Sequence, residues 1–94
     1  MTDENDSPVH IPIEDAIDLH SFAPRDIVSV VDEYLYAAHE KGFREVRLIH
    51  GRGKGVQRAA VQRLLRDHAL VERFGDAPES RLGATLVILK QEAP

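Results

Sequence analysis

The sequence predicts a two-layer α/β sandwich of the α+β kind, with the element order β-α-β-α-β-β and a mixed four-stranded sheet. Segments with strand periodicity alternate with two segments of helical periodicity, which is the first observation behind this prediction. The second is the short distance between a strand, a helix and the next strand, because such a unit closes as a right-handed crossover with parallel strands. The third is the length, since 94 residues suffice for one domain with a small core.

One strand and one helix are expected in the first half of the chain. Residues 11–20 end in an alternation of apolar and polar side chains, which is typical of a short strand. Asp18 and His20 are two positions apart in this segment and are therefore expected on one face of the strand. Pro24 suits the first turn of a helix, apolar residues follow at helical spacing, and Gly42 is a suitable residue just past the helix end.

Three strands and one helix are expected in the second half. The last strand is the most continuously apolar segment, which indicates an interior position in the sheet. Val56 begins the second helix, and we expect it to face inward together with Ala60 and Leu64. In order, the expected elements are a strand at 45–50, a glycine loop at 51–55, a helix at 56–68, a strand at 69–74, a loop at 75–83 and a strand at 84–89.

Composition limits the domain organisation and the class of protein. We expect a mobile acidic tail at residues 1–12, a folded domain at 13–90 and a short C-terminal tail at 91–94. The chain has no cysteine, which excludes disulfides and thiolate metal sites. It has no apolar run long enough to span a membrane, and its acidic start is unlike a signal peptide. A cytoplasmic location without membrane contact is therefore expected.

Charge is distributed unevenly along the chain, whose formal net charge is −4. Residues 1–40 contain one basic and ten acidic side chains, whereas residues 41–94 contain eleven basic and six acidic ones. Seven of the basic residues lie between positions 44 and 66, where Glu45 is the single acidic residue. A local field of this kind can attract a polyanion even when the whole chain is acidic, although the same residues also suit a solvated helix face.

The loop after the second strand has the composition of a phosphate-binding loop. Gly51, Gly53 and Gly55 allow a sharp turn and let backbone N–H groups approach a ligand, and the following helix start adds a partial positive charge. The Walker A pattern is missing, so we expect no nucleotide cofactor. The alternative is a tight connection between strand and helix. The residues predicted to bind phosphate are His50, Gly51, Arg52, Gly53, Lys54, Gly55 and Arg58.

Asp18 and His20 are the candidate catalytic residues. If the first two strands are parallel, their C-terminal ends meet at the sheet edge where open α/β sheets bind ligands, and the pair would lie beside the glycine loop. An aspartate next to a histidine orients the ring and stabilises its protonated form, which suits general acid–base catalysis. The alternative is that Asp18 caps a turn and His20 bonds the sheet edge.

The other histidines point less directly to chemistry. His50 is either a second proton donor or, as we prefer, a residue that anchors the loop. His10, His39 and His68 are expected at the surface. A zinc site needs three or four convergent ligands, and the spacing demands none here. We therefore assign no metal-binding residue, and a divalent metal ion stays open as a cofactor.

Three segments resemble, in order, the signature motifs of the small MutS-related (Smr) domain family, found at the end of MutS2-type proteins and as stand-alone small proteins. They are Ile17-Asp18-Leu19-His20-Ser21, the stretch from His50 to Arg58, and the stretch from Gly83 to Leu89. The resemblance implies a stand-alone Smr protein with a fold similar to the C-terminal domain of translation initiation factor three. It also implies DNA or RNA binding and, as in several members, endonuclease activity by nicking or cleavage.

We therefore predict a nucleic-acid-binding domain with endonuclease activity, in which the phosphodiester is cleaved with the help of Asp18 and His20. One alternative is a non-catalytic module that binds structured or branched nucleic acid through backbone contacts. Another is a protein-interaction domain whose basic surface meets an acidic partner. Four residues depart from the family pattern. Ser21 stands where the family usually has glycine, Ala23 where it has a threonine or serine helix cap, Lys54 where it has threonine, and Gln57 where it has leucine.

Overall fold

The structure of the chain is a computed structural model that describes residues 13–53 and 55–91. The expected tail at 1–12, Lys54 and residues 92–94 of the expected C-terminal tail lie outside the described residues. In chain order the elements are β1 (Ala16–Asp18), a 3₁₀ turn (Pro24–Asp26), α1 (Ile27–Glu40), β2 (Glu45–Ile49), α2 (Val56–Arg66), β3 (Val71–Asp76) and β4 (Ala84–Leu89).

The four strands form one mixed sheet with the order β1-β2-β4-β3. β1 pairs with β2 in parallel, and β4 pairs antiparallel with both β2 and β3. The interior position predicted for the last strand is confirmed, as are the predicted element order and the mixed sheet. The parallel pair is joined through α1, as expected for a strand–helix–strand unit.

Both helices cover the same face of the sheet, so the domain has two layers. Val46 and Leu48 alternate along β2 with Glu45 and Arg47, so one face of the strand is buried and the other is not. α1 and α2 contact each other and place their apolar stripes on that buried face. The largest fully buried side chains include Leu19, Ile27, Val31, Leu35, Leu48, Val61, Leu65, Val87 and Leu89.

The first strand is shorter than the sequence predicts. β1 ends at Asp18, and the next residues leave the ladder because the Asp18 carboxylate accepts the backbone N–H of His20. The expectation that Asp18 and His20 share one strand face is therefore wrong, because a turn brings them together instead. Leu19 still continues the sheet by one bond, from its N–H to the carbonyl of Ile49 at 2.8 Å.

Two predictions about side-chain burial are also wrong. Val56 is 71% exposed, because it opens α2 above the glycine loop, where no other element of the described part of the chain covers it. The His68 side chain is only 4% exposed. Its ring accepts the Leu70 N–H and donates to Asp32 at 2.8 Å, which ties the end of α2 to α1 and delays the start of β3 until Val71.

No helix in the part of the chain that the structure describes combines the length and apolar character needed to cross a bilayer.

Candidate functional site

The two parallel strands end at the same edge of the sheet, and the candidate residues follow directly after them. β1 and β2 are in register from Ala16 opposite Arg47 to Asp18 opposite Ile49. His20 therefore follows one strand and the loop 50–55 follows the other at the carboxyl edge, where open α/β sheets bind ligands. The topology alone brings the two motifs together.

The ring of His20 is held by Asp18. The Asp18 Oδ1 atom accepts the His20 backbone N–H at 2.9 Å and the ring Nδ1–H at 2.6 Å. The backbone hydrogen bond is the main reason that the pKa of Asp18 lies below its usual value, and the ring hydrogen bond adds to it. The carboxylate thus stays charged and fixes the tautomer of the neutral ring, so that Nε2 carries the free lone pair.

Gly51 makes room for the His20 ring. Its φ of +81° lies in the left-handed region, and a Cβ atom at this position would come within 2.5 Å of His20 Nε2. Only glycine can therefore let the ring lie this close to the loop backbone. Among residues 13–53 and 55–91, His20 Nε2 has no hydrogen-bond partner, so it is available to a ligand.

The ring and the loop line one cleft of about 340 Å³. Its floor is the start of α2, whose N-cap is Gly55 and which has no side-chain cap. The first backbone N–H groups of the helix therefore lack the carboxylate or hydroxyl partner that usually satisfies them. The lining residues are His20, His50, Gly51, Arg52, Gly53, Gly55, Val56 and Gln57.

His50 anchors the glycine loop, as the sequence favoured. Its buried ring contacts the carbonyl of Gly51 through Nδ1 at 3.0 Å and the hydroxyl of Thr85 through Nε2 at 2.9 Å. Since a carbonyl only accepts, Nδ1 must carry the proton and Nε2 must accept the Thr85 hydroxyl. Both ring nitrogens are engaged by the protein, and a role as second proton donor is not supported by this geometry.

Arg58 is placed differently from the expectation. Its guanidinium makes a two-pronged contact with Asp76, at 2.7 and 2.8 Å. This contact holds the pKa of Asp76 below its usual value and raises that of Arg58. Gln62 donates to both Asp76 and Thr85, so a chain of hydrogen bonds leads from Arg58 back to His50.

Sequence reasoning did not find three members of this network, namely Gln62, Asp76 and Thr85. Thr85 had a signal, as a lone hydroxyl in the apolar strand β4, where a buried polar group needs a partner. No signal in the sequence indicated Asp76, because it lies 18 positions from Arg58. The pairing appears only when β3 is placed beside α2.

The structure thus brings His20, His50, Gly51, Arg52, Gly53 and Gly55 into one cleft and turns the Arg58 guanidinium toward Asp76. Lys54 lies outside the described residues. Within the described ranges, no group of three or more histidine, aspartate or glutamate side chains is arranged to hold a metal ion.

The fold and the site together define a class of protein. Its members are two-layer α/β domains with an Asp-His pair beside a glycine loop, at the carboxyl edge of parallel strands. The profile of the Smr domain family matches residues 17–90. The chain therefore belongs to the Smr domain family, and the resemblance seen in its motifs is confirmed.

Relatives of known name agree with this assignment. The chain is 39% identical over 77 residues to Endonuclease MutS2 of Caldicellulosiruptor saccharolyticus, which covers 80% of this chain and 10% of the relative. It is 37% identical over 81 residues to Endonuclease MutS2 of Listeria welshimeri, covering 84% and 10%. The chain thus spans about a tenth of the length of these curated relatives.

Two solved structures have the same fold. The Smr domain of Thermus thermophilus MutS2 superposes with a TM-score of 0.76 at 34% identity, covering 82% of this chain and 99% of that domain. YdaL, a stand-alone small MutS-related protein from Escherichia coli, also gives 0.76, at 24% identity, covering 85% and 67%. The second likeness concerns the fold alone.

Proposed function

We propose that this chain binds a nucleic-acid strand, DNA or RNA, through its phosphate backbone and cleaves a phosphodiester bond with His20 as the proton-transfer group. One observation carries the proposal. The free Nε2 of His20, whose ring is oriented by Asp18, lies against Gly51 in the same cleft as the uncapped start of α2.

The cleft suits a phosphate for physical reasons. An uncapped helix start offers N–H donors and a partial positive charge, and Arg52 adds a full charge beside them. Contacts of this type recognise the backbone and carry no base specificity. A diester bound here would have one of its oxygens near the Nε2 atom of His20.

The Asp-His pair suits proton transfer. With Nδ1–H donated to Asp18, Nε2 can accept the proton of an attacking oxygen, from water or from a ribose 2′-hydroxyl. A new P–O bond then forms to that oxygen, the P–O bond to the leaving oxygen breaks, and the leaving oxygen takes a proton from water. The charge of Asp18 stabilises the imidazolium that results.

The named relatives support the same reaction class. Both MutS2 proteins are called endonucleases, and this chain matches about a tenth of their length. The Smr family profile, which matches residues 17–90, covers the segment with Asp18 and His20. What the whole relatives do is therefore a reason for the proposal and not a measurement on this chain.

A non-catalytic binding module is the second candidate, and one observation favours it. The side chains of Asp18 and His20 are 64% and 61% exposed, so nothing in residues 13–53 and 55–91 shields the pair from water. Proton transfer in so open a site depends on the bound strand to cover it. A binding module would need the cleft but not the pair.

The deciding experiment compares His20→Ala with wild type on labelled supercoiled DNA and on structured RNA, each with Mg²⁺ and with EDTA. We expect cleavage to fall by about 10²- to 10⁴-fold while binding is retained, since a general base is lost and the phosphate contacts are not. The matched control is His39→Ala, on α1 outside the cleft, which should cut like wild type. Circular dichroism checks that the variants are folded.

Product analysis then distinguishes the nucleophiles. A 2′,3′-cyclic phosphate formed in EDTA would identify RNA with its own 2′-hydroxyl as the attacking group. Nicked DNA formed only with Mg²⁺ would identify water and a metal-assisted reaction. A wild-type protein that binds both substrates and cuts neither would exclude the catalytic proposal and leave the binding module.

A further inference from the structure

A second cleft shares the glycine loop with the first. It has a volume of about 460 Å³ and is bounded by the turn Ser80–Gly83. Arg52, Gly53 and Gly55 line both clefts, so the loop borders each of them. The remaining lining residues of the second cleft are Arg58, Arg81 and Leu82.

The turn that forms the far wall has an unusual backbone. The Gly83 N–H donates to the Ser80 carbonyl at 3.0 Å, and the two central residues both have left-handed φ values, +52° for Arg81 and +68° for Leu82. Glycine adopts this conformation freely, whereas other residues are strained in it. Strain of this kind persists where the surrounding structure holds it in place, and it clusters at active sites and ligand-binding segments.

The turn is fixed to the glycine loop. The backbone N–H groups of His50 and Gly51 both donate to the Gly83 carbonyl, at 3.1 and 2.9 Å. The Arg52 side chain packs on Gly83, where a Cβ atom would lie 3.4 Å from Arg52 Cγ. The second cleft therefore keeps a fixed position relative to His20.

The chemistry of the second cleft suits an anion that has an apolar neighbour. Three arginines line it and no acidic side chain does so among the described residues; the Asp76 carboxylate offsets only Arg58. Leu82 is 52% exposed beside these charges. In a nucleic-acid strand each phosphate is followed by a sugar and a base, and exposed apolar side chains contact bases that have left their stack.

We propose that this second cleft binds the phosphate next to the one in the first cleft, with Arg81 on that phosphate and Leu82 against the adjoining unstacked base. The substrate class is then a nucleic-acid strand that is locally unpaired, rather than a continuous duplex. This inference rests on the proposed function, because it assumes that the first cleft holds a phosphodiester.

The test measures binding by fluorescence anisotropy between 50 and 200 mM salt. The first probe is a labelled single-stranded DNA 12-mer carrying 2-aminopurine. The second is a hairpin whose stem pairs the same twelve nucleotides with their complement. Gel electrophoresis shows that both probes stay intact. The variants are Arg81→Gly and Leu82→Gly, which relieve the strained backbone and so should fold. Arg66→Ala, which removes one charge at the far end of α2, is the control.

We expect Arg81→Gly to weaken binding of both probes roughly 3- to 10-fold and to lower the salt slope by about 0.7–0.9, the value of one phosphate contact. Leu82→Gly should weaken binding of the single strand by a similar factor and leave the salt slope and the affinity for the hairpin unchanged. It should also abolish the rise in 2-aminopurine fluorescence that we expect when the wild type binds and unstacks the base. Arg66→Ala should have less than half of the effect of Arg81→Gly.

Wild-type affinity and slope in both cleft variants, with a wild type that binds, would overturn this inference and leave the proposed function intact. If Leu82→Gly loses equal affinity for the single strand and for the hairpin, the assignment of an unpaired substrate is overturned. A wild type that binds neither probe would overturn the proposed function, and this inference with it.

Discussion

The carboxylate of Asp18 makes two hydrogen bonds to one residue, and they have different effects. The bond from the His20 backbone N–H ends β1 and forms the turn, whereas the bond from the ring sets its tautomer and direction. Asp18 and His20 are two positions apart in the sequence, so their pairing could be predicted. The turn could not, because an i to i+2 spacing fits a strand face equally well.

The contact between Gly51 and His20 leads to a prediction for Gly51→Ala. The added methyl group would lie within 2.5 Å of His20 Nε2, so we expect the ring to be displaced and cleavage to fall by at least about tenfold. Gly55→Ala is the matched control for backbone strain, with a φ of +80° and open space at its Cβ position. Both variants should lose about 1–2 kcal/mol of unfolding free energy.

The measurement is the position of the His20 ring signals in NMR spectra, together with urea unfolding. Only Gly51→Ala should move these signals beyond what the strained backbone causes in Gly55→Ala. Unchanged His20 signals in folded Gly51→Ala would mean that the ring has room elsewhere and that the glycine serves the turn alone.

The order of the elements could be predicted because their periodicity is local, but the contacts between elements could not. The Tyr34 hydroxyl on α1 donates to the Glu14 carbonyl just before β1 and so ties the helix to the strand that carries Asp18. Tyr34 is buried on the same face of α1 as Ile27 and Val31, but nothing in the sequence identified its partner, which lies 20 positions away. Likewise, the partner of His68 became visible only when α1 and α2 were placed together.

The burial of Tyr34 predicts a loss of stability at alkaline pH. Burial, with the charges of Asp15 and Glu14 as smaller causes, raises the pKa of Tyr34 from its ordinary value of 10.0 to about 12. The raised pKa favours the folded state below pH 10, and this contribution disappears as the pH rises through 12. The difference between these two pKa values corresponds to about 2–3 kcal/mol at most.

Urea unfolding of wild type and Tyr34→Phe between pH 8 and about 11.5 checks this prediction. The free energy of unfolding of the wild type should fall relative to that of Tyr34→Phe across the upper part of that range. Tyr36→Phe, at an exposed tyrosine, serves as the control. Parallel curves for wild type and Tyr34→Phe would show that Tyr34 ionises as easily in the folded chain as in the unfolded one.

For the whole molecule, the sequence overstated how many positive charges are available to a ligand. Between positions 44 and 66 only Glu45 is acidic, yet the fold brings carboxylates from β3 and the next loop to these arginines. Arg44 pairs with Glu72, and Arg47 pairs with Glu79. Such partners are distant in sequence, so a local count of charges cannot find them.

Arg52 is different, because it lines both clefts and has no carboxylate partner among the described residues. We therefore predict that Arg52→Ala weakens oligonucleotide binding and lowers the salt slope by about 0.7–0.9, as one lost phosphate contact should. The matched control is Arg47→Ala, which removes the same charge from a residue already paired with Glu79. It should leave the slope nearly unchanged.

Arg58→Ala should give a third result, which tests the site as a whole. Because Arg58 is bound to Asp76, its removal should lower the urea midpoint of unfolding and change the salt slope less than Arg52→Ala does. Salt titrations and urea unfolding of the three variants separate these effects. Equal slopes for the Arg52 and Arg47 variants would mean that binding follows the overall charge and not the glycine loop.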